Sequence, residues 1–177
     1  SLIAAARQRY PDLDFIVMDM ERLRLEPASF DLVFSSLTLH YVRDWAVVLR
    51  NVHRVLKPGG IFLFSTHNPV YWGAEERPEG EYKLRALGYR KHVKSNAVEV
   101  YGDYARARKI HDTWFGSFNV TYYHRPFSAI LNDILRSKFK LVYCVEPKPL
   151  SSAKRIDKGF WEKASKLPLF VIFRLRK

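Results

Sequence analysis

The sequence predicts an α/β fold built on a parallel sheet, and three observations predict it. Short, continuous apolar runs at 15–18, 30–36 and 61–65 have the length of strands buried on both faces, without the alternation of half-exposed ones. Between the second and third runs, Val47, Val48, Val52, Val55 and Leu56 recur at helical spacing. Lys57-Pro58-Gly59-Gly60 then breaks the helix and returns the chain to the next strand. Strand, helix and strand joined by so short a return form a βαβ unit, whose strands run parallel with helices packed over them.

Taken in order, residues 1–10 read as the end of a helix, stopped before Pro11-Asp12. The run at 15–18 ends in Asp19, as a buried strand ending at a polar edge would. Pro27-Ala28-Ser29 is a turn, and the strand at 30–36 closes in small polar residues. Asp44 is placed to cap the helix through Lys57. After Asn68-Pro69 the pattern becomes polar, with a surface loop and a helix predicted around 81–94. Aromatic-rich runs at 98–105 and 115–123 read as an antiparallel pair separated by the charged turn 106–109. Pro126 suits the first turn of a helix running to Ser137. Strands are predicted at 139–145 and 169–173, with a loop and helix over 151–166 between them.

Composition narrows the function classes. The chain has 177 residues, enough for one core, and a single cysteine, Cys144, which excludes an internal disulfide framework and a zinc cage. No metal site is predicted. No apolar run reaches the roughly 18–20 residues needed to span a bilayer, and the N-terminal apolar run is too short for a secretory signal. A cytoplasmic protein is the expectation. The net charge is +12, and it is uneven: +1 through Trp72 and +11 after it. A basic surface of that kind attracts anions, from acidic small molecules to nucleic acid or acidic lipid. The 83–109 stretch interleaves basic and tyrosine residues, a composition suited to single-stranded nucleic acid, without a recognised module pattern.

Three stretches together resemble the second half of a class I S-adenosylmethionine-dependent methyltransferase. Met18-Asp19-Met20-Glu21-Arg22-Leu23 resembles the family's acidic strand-end motif. The stretch from Ser29-Phe30-Asp31-Leu32-Val33-Phe34 through His40-Tyr41-Val42, with Asp44, resembles its fourth-strand motif, and Leu56-Lys57-Pro58-Gly59-Gly60 the turn before its fifth strand. Tyr123-His124-Arg125-Pro126-Phe127-Ser128, Glu146-Pro147-Lys148-Pro149 and Pro168-Leu169-Phe170 resemble a small-molecule branch, the ubiquinone/menaquinone-biosynthesis group. The resemblance implies a Rossmann-like sheet, mostly parallel with an antiparallel last strand. It implies a partial cofactor-binding core at 1–69, an inserted substrate or lid region at 70–125 and the rest of the core sheet at 126–177.

The resemblance also implies S-adenosylmethionine as cofactor and a small-molecule methyl acceptor. By it, the Asp19 carboxylate would accept the adenine amino group and the Met20 N–H would face the ring, while Ser36 and Leu37 would lie beside the methionine part. On residue type alone Asp19 reads as a turn carboxylate taking local N–H bonds, a reading the three-motif resemblance reverses; Ser36 and Leu37 are equally explained as plain strand termination. In open parallel sheets ligands bind outside the carboxyl ends of the strands, so His40 and His67, which follow successive strands, face one crevice. Where an acceptor must lose a proton, histidine is suited to take it near neutrality. His124 is the first catalytic candidate, at the junction of the inserted pair and the next helix, and His40 the second. Tyr41, His67, Trp72 and Tyr123 are candidates for the acceptor wall, with Trp114 beside them, or simply fill the core. Arg125 would either neutralise an acidic substrate or anchor a helix.

The family's glycine-rich turn after its first strand and the acid that binds the ribose do not occur in this sequence, where no glycine precedes Gly59. Ser1 falls inside what resembles the helix after the second strand. A segment of roughly 40–60 residues, a strand–helix–strand unit, would therefore be lacking, and the chain reads as a truncated piece with exposed edges prone to self-association. Two alternatives stand beside a small-molecule methyltransferase: a non-catalytic binding module using the basic surface, and a nucleic-acid methyltransferase.

Overall fold

The computed structural model describes residues 2–114 and 116–177, and the side chains of 77–79 and 82–84 fall outside the description. Helix α1 (Leu2–Arg9) buries no residue and ends before Pro11, which disfavours helical conformation in the residue ahead of it. Strand β1 (Phe30–Ser35) leads through a 3₁₀ turn to α2 (Trp45–Val55) and β2 (Leu56–His67). The Asp44 side chain caps α2 by accepting the Val47 N–H at 3.3 Å. One face of α2 carries the buried Trp45, Val48, Leu49, Val52 and Val55; the periodicity marks Val48, Val52 and Val55, while Val47 is half-buried and Leu56 already lies in β2. A short helix, α3 (Pro69–Trp72), follows, capped by the Asn68 side chain.

Three antiparallel hairpins come next: β3 (Glu75–Glu79) with β4 (Tyr82–Ala86), β5 (Gly88–Lys91) with β6 (Val98–Tyr101), and β7 (Arg108–Trp114) with β8 (Phe118–His124). Helix α4 (Phe127–Arg136) packs against α2, then β9 (Lys140–Val145), α5 (Lys158–Lys166) and β10 (Phe170–Arg176) complete the chain order.

The main sheet runs β1-β2-β10-β9. β1 and β2 are parallel, confirming the βαβ unit, and β10 is antiparallel to both of its neighbours. Three of the four strands therefore share one direction, yet two of the three pairings are antiparallel, because β10 lies between β2 and β9 rather than at an edge. At the start of β2 the register against β1 jumps over residues 57–60. Gly59 there has φ +78, and a Cβ on Gly60 would stand 2.9 Å from the Lys57 carbonyl oxygen and 3.2 Å from that of Asp31. The close approach of two backbones is what these glycines permit.

The core lies under one face of this sheet. Phe62, Phe64 and Phe173 are fully buried, with ring centroids 4.8 Å (Phe62–Phe64) and 5.2 Å (Phe64–Phe173) apart, and α2 and α4 cover them with Val48, Leu49, Ile130 and Ile134. On β1, alternation sends Leu32 and Phe34 to the opposite face, where Phe34 remains 64% exposed. Helices thus cover one face at β1, not both.

Three expectations are corrected. Residues 15–18 form no strand: Val17 is 79% exposed, and no described strand lies beside the segment to supply a ladder. The helix expected around 81–94 is instead β4 and β5, and Gly88 at φ +131 is incompatible with helical continuation. Finally, the runs at 98–105 and 115–123 do not pair with each other. β6 pairs β5, and β8 pairs β7 through the turn at Gly116, φ +76, so the supposed charged turn contains the start of β7. Residue 115 itself lies outside the described residues. No helix among the described residues is long and apolar enough to cross a membrane.

Candidate active site

The site is assembled where the parallel strands β1 and β2 end. Past β1 the chain turns through Leu37, which holds φ +51, a conformation that costs a non-glycine residue free energy and persists only where the surroundings impose it. The imposing contacts are on β2: the Leu37 N–H reaches both the Ser65 carbonyl oxygen at 3.2 Å and Ser65 Oγ at 3.1 Å. The 3₁₀ turn that follows presents His40, and its Leu39 carbonyl accepts the Trp45 indole N–H at 2.9 Å. β2 ends at His67, and α3 then presents Trp72, whose indole donates to the Leu169 carbonyl at 2.9 Å.

These three rings form one stack. His40 and His67 lie 3.5 Å apart between centroids with planes 8° from parallel, and His67 lies 3.9 Å from Trp72 at 9°. Tyr122 from β8 meets all three edge-on, at interplanar angles of 88°, 85° and 80°. Beside the stack is a cavity of about 580 Å³ whose lining includes Leu37, His40, Tyr41, His67, Trp72 and Trp114, with Phe160, Leu169 and Phe170 beyond them.

Besides His40, Tyr41 and His67, the described lining carries three charged side chains: Glu76, Arg85 and Asp112. Arg85 pairs with Glu76 and lies over the Tyr71 and Trp72 rings. Asp112 accepts the Trp114 indole N–H at 3.0 Å and the Tyr122 hydroxyl at 3.4 Å through Oδ2, and the Thr113 N–H at 2.8 Å through Oδ1. Burial, and then the neighbouring Asp112 carboxylate, push the Tyr122 phenol above its ordinary range, so it remains a hydrogen-bond donor. Burial lowers His40 to about 4 and His67 to about 2, the latter helped by His40 and Arg85. Their Nδ1 atoms are buried without a hydrogen-bond partner. Both imidazoles are therefore neutral at physiological pH.

The structure brings His40, Leu37, Tyr41, His67 and Trp72 to this one cavity. It does not bring His124, Tyr123 or Arg125 there. Those three line a void of only about 10 Å³, which His40, His67 and Trp72 also border. His124 Nε2 is 2.8 Å from the Tyr104 carbonyl oxygen, which makes it the protonated nitrogen, and a Cβ on Gly73 would come within 2.5 Å of the ring. Arg125 donates to the Val42 carbonyl at 2.9 Å and to that of Arg43, with its guanidinium 5.5 Å from both the Trp45 and Tyr123 rings. Of the two readings of Arg125, the anchoring one describes these contacts.

Met20 and Ser36 line a second groove of about 410 Å³ on the β1 side, over Leu23, Val33 and Leu39. Asp19 is exposed and caps the 3₁₀ turn Met20–Arg22 by accepting the Glu21 N–H at 2.8 Å. The Ser36–Leu37 peptide thus divides two hollows, Ser36 facing the groove and Leu37 the cavity. Among the described residues no cluster suits a metal ion.

Sequence reasoning missed Glu76, Arg85, Asp112, Tyr122, Phe160 and Phe170. The signal for Asp112 is present in β7, which alternates half-buried and exposed residues over its whole length. Its inward positions include Arg108 and Asp112, so a search for apolar alternation passes over it.

The methyltransferase domain family matches residues 1–64. Among solved structures, an S-adenosylmethionine-dependent methyltransferase from Mesorhizobium loti superposes with a TM-score of 0.72 at 30% identity, covering 98% of this chain and 75% of that one. An uncharacterized protein of Haemophilus influenzae is 27% identical over 133 residues, 73% of this chain and 48% of its own length. A demethylmenaquinone methyltransferase of Streptomyces griseus subsp. griseus is 28% identical over 100 residues, 56% of this chain and 44% of its own. The chain spans about half, or less, of the length of the curated relatives it matches.

Proposed function

Since the chain belongs to the class I S-adenosylmethionine-dependent methyltransferases, we propose that it supports methyl transfer to a planar aromatic small molecule held in the cavity beside His67 and Trp72. The observation that carries this reading is the wall of that cavity, where a continuous stack of flat rings lies directly against the strand end at Leu37. His67 has both faces covered within the stack, so a flat acceptor would meet ring edges there, in the edge-to-face arrangement that aromatic pairs favour. Its similarity to a demethylmenaquinone methyltransferase supports the same acceptor class.

The residues present fit S-adenosylmethionine along one side. An exposed carboxylate, Asp19, at the head of an apolar groove shared by Met20 and Ser36 suits the amino edge and the faces of an adenine. When bound, the cofactor supplies an electrophilic methyl group on a sulfonium. The chain's own residues do the rest. Ser36 and Leu37 hold the partition between groove and cavity, so that the acceptor side is reached across one peptide. The aromatic walls exclude water from the acceptor. Neutral His40 and His67 can orient the acceptor's hydroxyl by accepting its hydrogen bond without placing a second cation near a sulfonium; burial makes both too weakly basic to keep the proton, which is given up to bulk solvent. His124 and Arg125 act instead by fixing β8 and the 39–43 segment that carries His40. On this reading 1–69 and 126–177 form the sheet core and 70–125 the acceptor region, a division supported by the three hairpins between α3 and α4.

The test is transfer of a labelled methyl group from S-adenosylmethionine to a panel of phenols and quinols, set against aliphatic amines and RNA. Transfer to the flat acceptors alone is expected, with Trp72→Ala lowering kcat/KM at least tenfold while the affinity for S-adenosylhomocysteine is unchanged. Preference for RNA or for aliphatic acceptors, or a Trp72→Ala variant as active as the parent, would overturn it.

A further inference from the structure

The β5–β6 hairpin has a face that no described residue covers. Register pairs Tyr89 with Val100 and Lys91 with Val98, so these four side chains share one side of a two-stranded ribbon. Tyr89 is 73% exposed, Val98 and Val100 are exposed as well, and Val93 at the tip is 96% exposed. The tip is not loose: the His92 N–H bonds the Ala97 carbonyl at 2.8 Å, the Asn96 N–H bonds the His92 carbonyl at 3.1 Å, and Asn96 holds φ +55. Apolar exposure at the end of a built turn is not accounted for by packing.

The charges decide what the face meets. Lys91 stands on the apolar side itself and Lys94 on the tip. Between Gly88 and Tyr101 the one acidic residue is Glu99. It lies on the opposite side of the ribbon, where it accepts the Tyr101 hydroxyl at 2.6 Å and Arg90 lies over the same ring at 5.6 Å. The exposed face is thus valines and a tyrosine bordered by unopposed lysine, with no acid among them. A groove of about 670 Å³ runs along it, lined by Leu87, Tyr89, Val98, Val100 and Tyr104, with one carboxylate, the exposed Asp103 beyond the hairpin, also in its lining. Three exposed valines, Val93, Val98 and Val100, insert into hydrocarbon and outnumber the one exposed ring of that face, Tyr89, which favours lipid over the successive aromatic platforms of single-stranded nucleic acid binding. Lysines flanking an apolar tip are drawn to anionic headgroups.

We propose that the β5–β6 hairpin docks the protein on an anionic lipid surface, with Val93, Val98 and Val100 entering the acyl boundary and Lys91 and Lys94 on the headgroups. The site is separate from the ring-lined cavity and does not depend on the reaction assigned to it. The test is flotation of the full chain with vesicles of phosphatidylglycerol and phosphatidylcholine, alongside vesicles of phosphatidylcholine alone. Binding to the anionic vesicles only, weakening as salt is added, is expected. Lys91→Gln with Lys94→Gln should lower the partition coefficient roughly 30-fold, from about a fivefold loss per lysine. Val93→Ser with Val100→Ser, both at exposed positions, should weaken binding while leaving the circular dichroism spectrum and melting temperature unaltered. Equal binding to neutral vesicles, no vesicle binding, unchanged binding by both variants, or a preference for RNA in competition with the vesicles would each overturn the proposal.

Discussion

Acidification gives a direct measure of the stacked histidine pair. An imidazole free in an unfolded chain titrates near 6.5, whereas His40 and His67 are held at about 4 and about 2 because burial disfavours the charged ring. Between those values and 6.5 the unfolded state binds more protons than the folded one, so stability rises with pH there. The contribution is therefore complete above about pH 7 and is lost as pH falls through 6.5 toward the folded values. Each histidine adds about 1.4 kcal/mol per pH unit to the slope over that window, and the pair about 2.7 kcal/mol per unit. Moving from pH 7 to pH 5 should then remove about 2 kcal/mol per ring, or about 4 kcal/mol together, a large part of the 5–15 kcal/mol typical of a domain. The assay is urea unfolding at half-unit steps of pH for the parent and for His67→Phe, which keeps a flat ring against Trp72. The variant should show about half of the parent's slope attributable to the pair, roughly 1.4 kcal/mol per unit less. Identical slopes for the two proteins between pH 5 and 7 would refute the claim that His67 is buried neutral.

Other perturbations separate structure from chemistry. Gly73→Ala places a Cβ within 2.5 Å of both His124 Cε1 and the Pro69 carbonyl oxygen, and should cost about 1–3 kcal/mol by overpacking, read as a lower urea midpoint. Phe64→Ala empties a fully buried position between Trp45, Phe62 and Phe173 and should cost about 3–5 kcal/mol in the same experiment. Asp112→Ala leaves the Trp114 indole and the Tyr122 hydroxyl without their shared acceptor; acceptor KM should rise several-fold with S-adenosylhomocysteine affinity held, as calorimetry and steady-state rates would show. Arg125→Met abolishes two carbonyl contacts to residues 42 and 43 and should lower the melting temperature without selectively raising the KM of anionic acceptors.

What the sequence made legible follows the strength of local signals. The β1–α2–β2 unit could be read because its helix has a clean apolar face, a side-chain cap and a glycine turn, each visible within a few residues. The placement of His40 and His67 followed from it, since both come directly after its strands. The strand expected at 15–18 was misjudged because apolar runs report burial only when a partner supplies hydrogen bonds, and here none of the described strands does. The hairpin region was illegible for the opposite reason. Its strands carry Arg108 and Asp112 inward and Val98 and Val100 outward, inverting the polarity on which periodicity rests. His124 was favoured by its place in the chain, at a junction of elements. Depth decides against cavity access: its ring is wedged beneath Gly73, a contact between residues 51 positions apart that no local pattern encodes.

The position of β10 has a consequence for how the molecule reaches its final state. β2 and β9 touch only through β10, which follows both of them in the chain and pairs Arg176 with Ile61 on one side and with Lys140 on the other. Residue 177 fastens this arrangement, exchanging backbone bonds with Gly59 and Gly60. The middle of the sheet therefore cannot close until residues 170–176 have arrived, and a loop of more than 100 residues must be ordered to bring them there. Such long-range closure makes folding slow relative to a helical protein of this size. It also leaves β2 with an open hydrogen-bonding edge throughout the wait, a period in which a chaperone, or a second chain, competes with β10 for the same ladder.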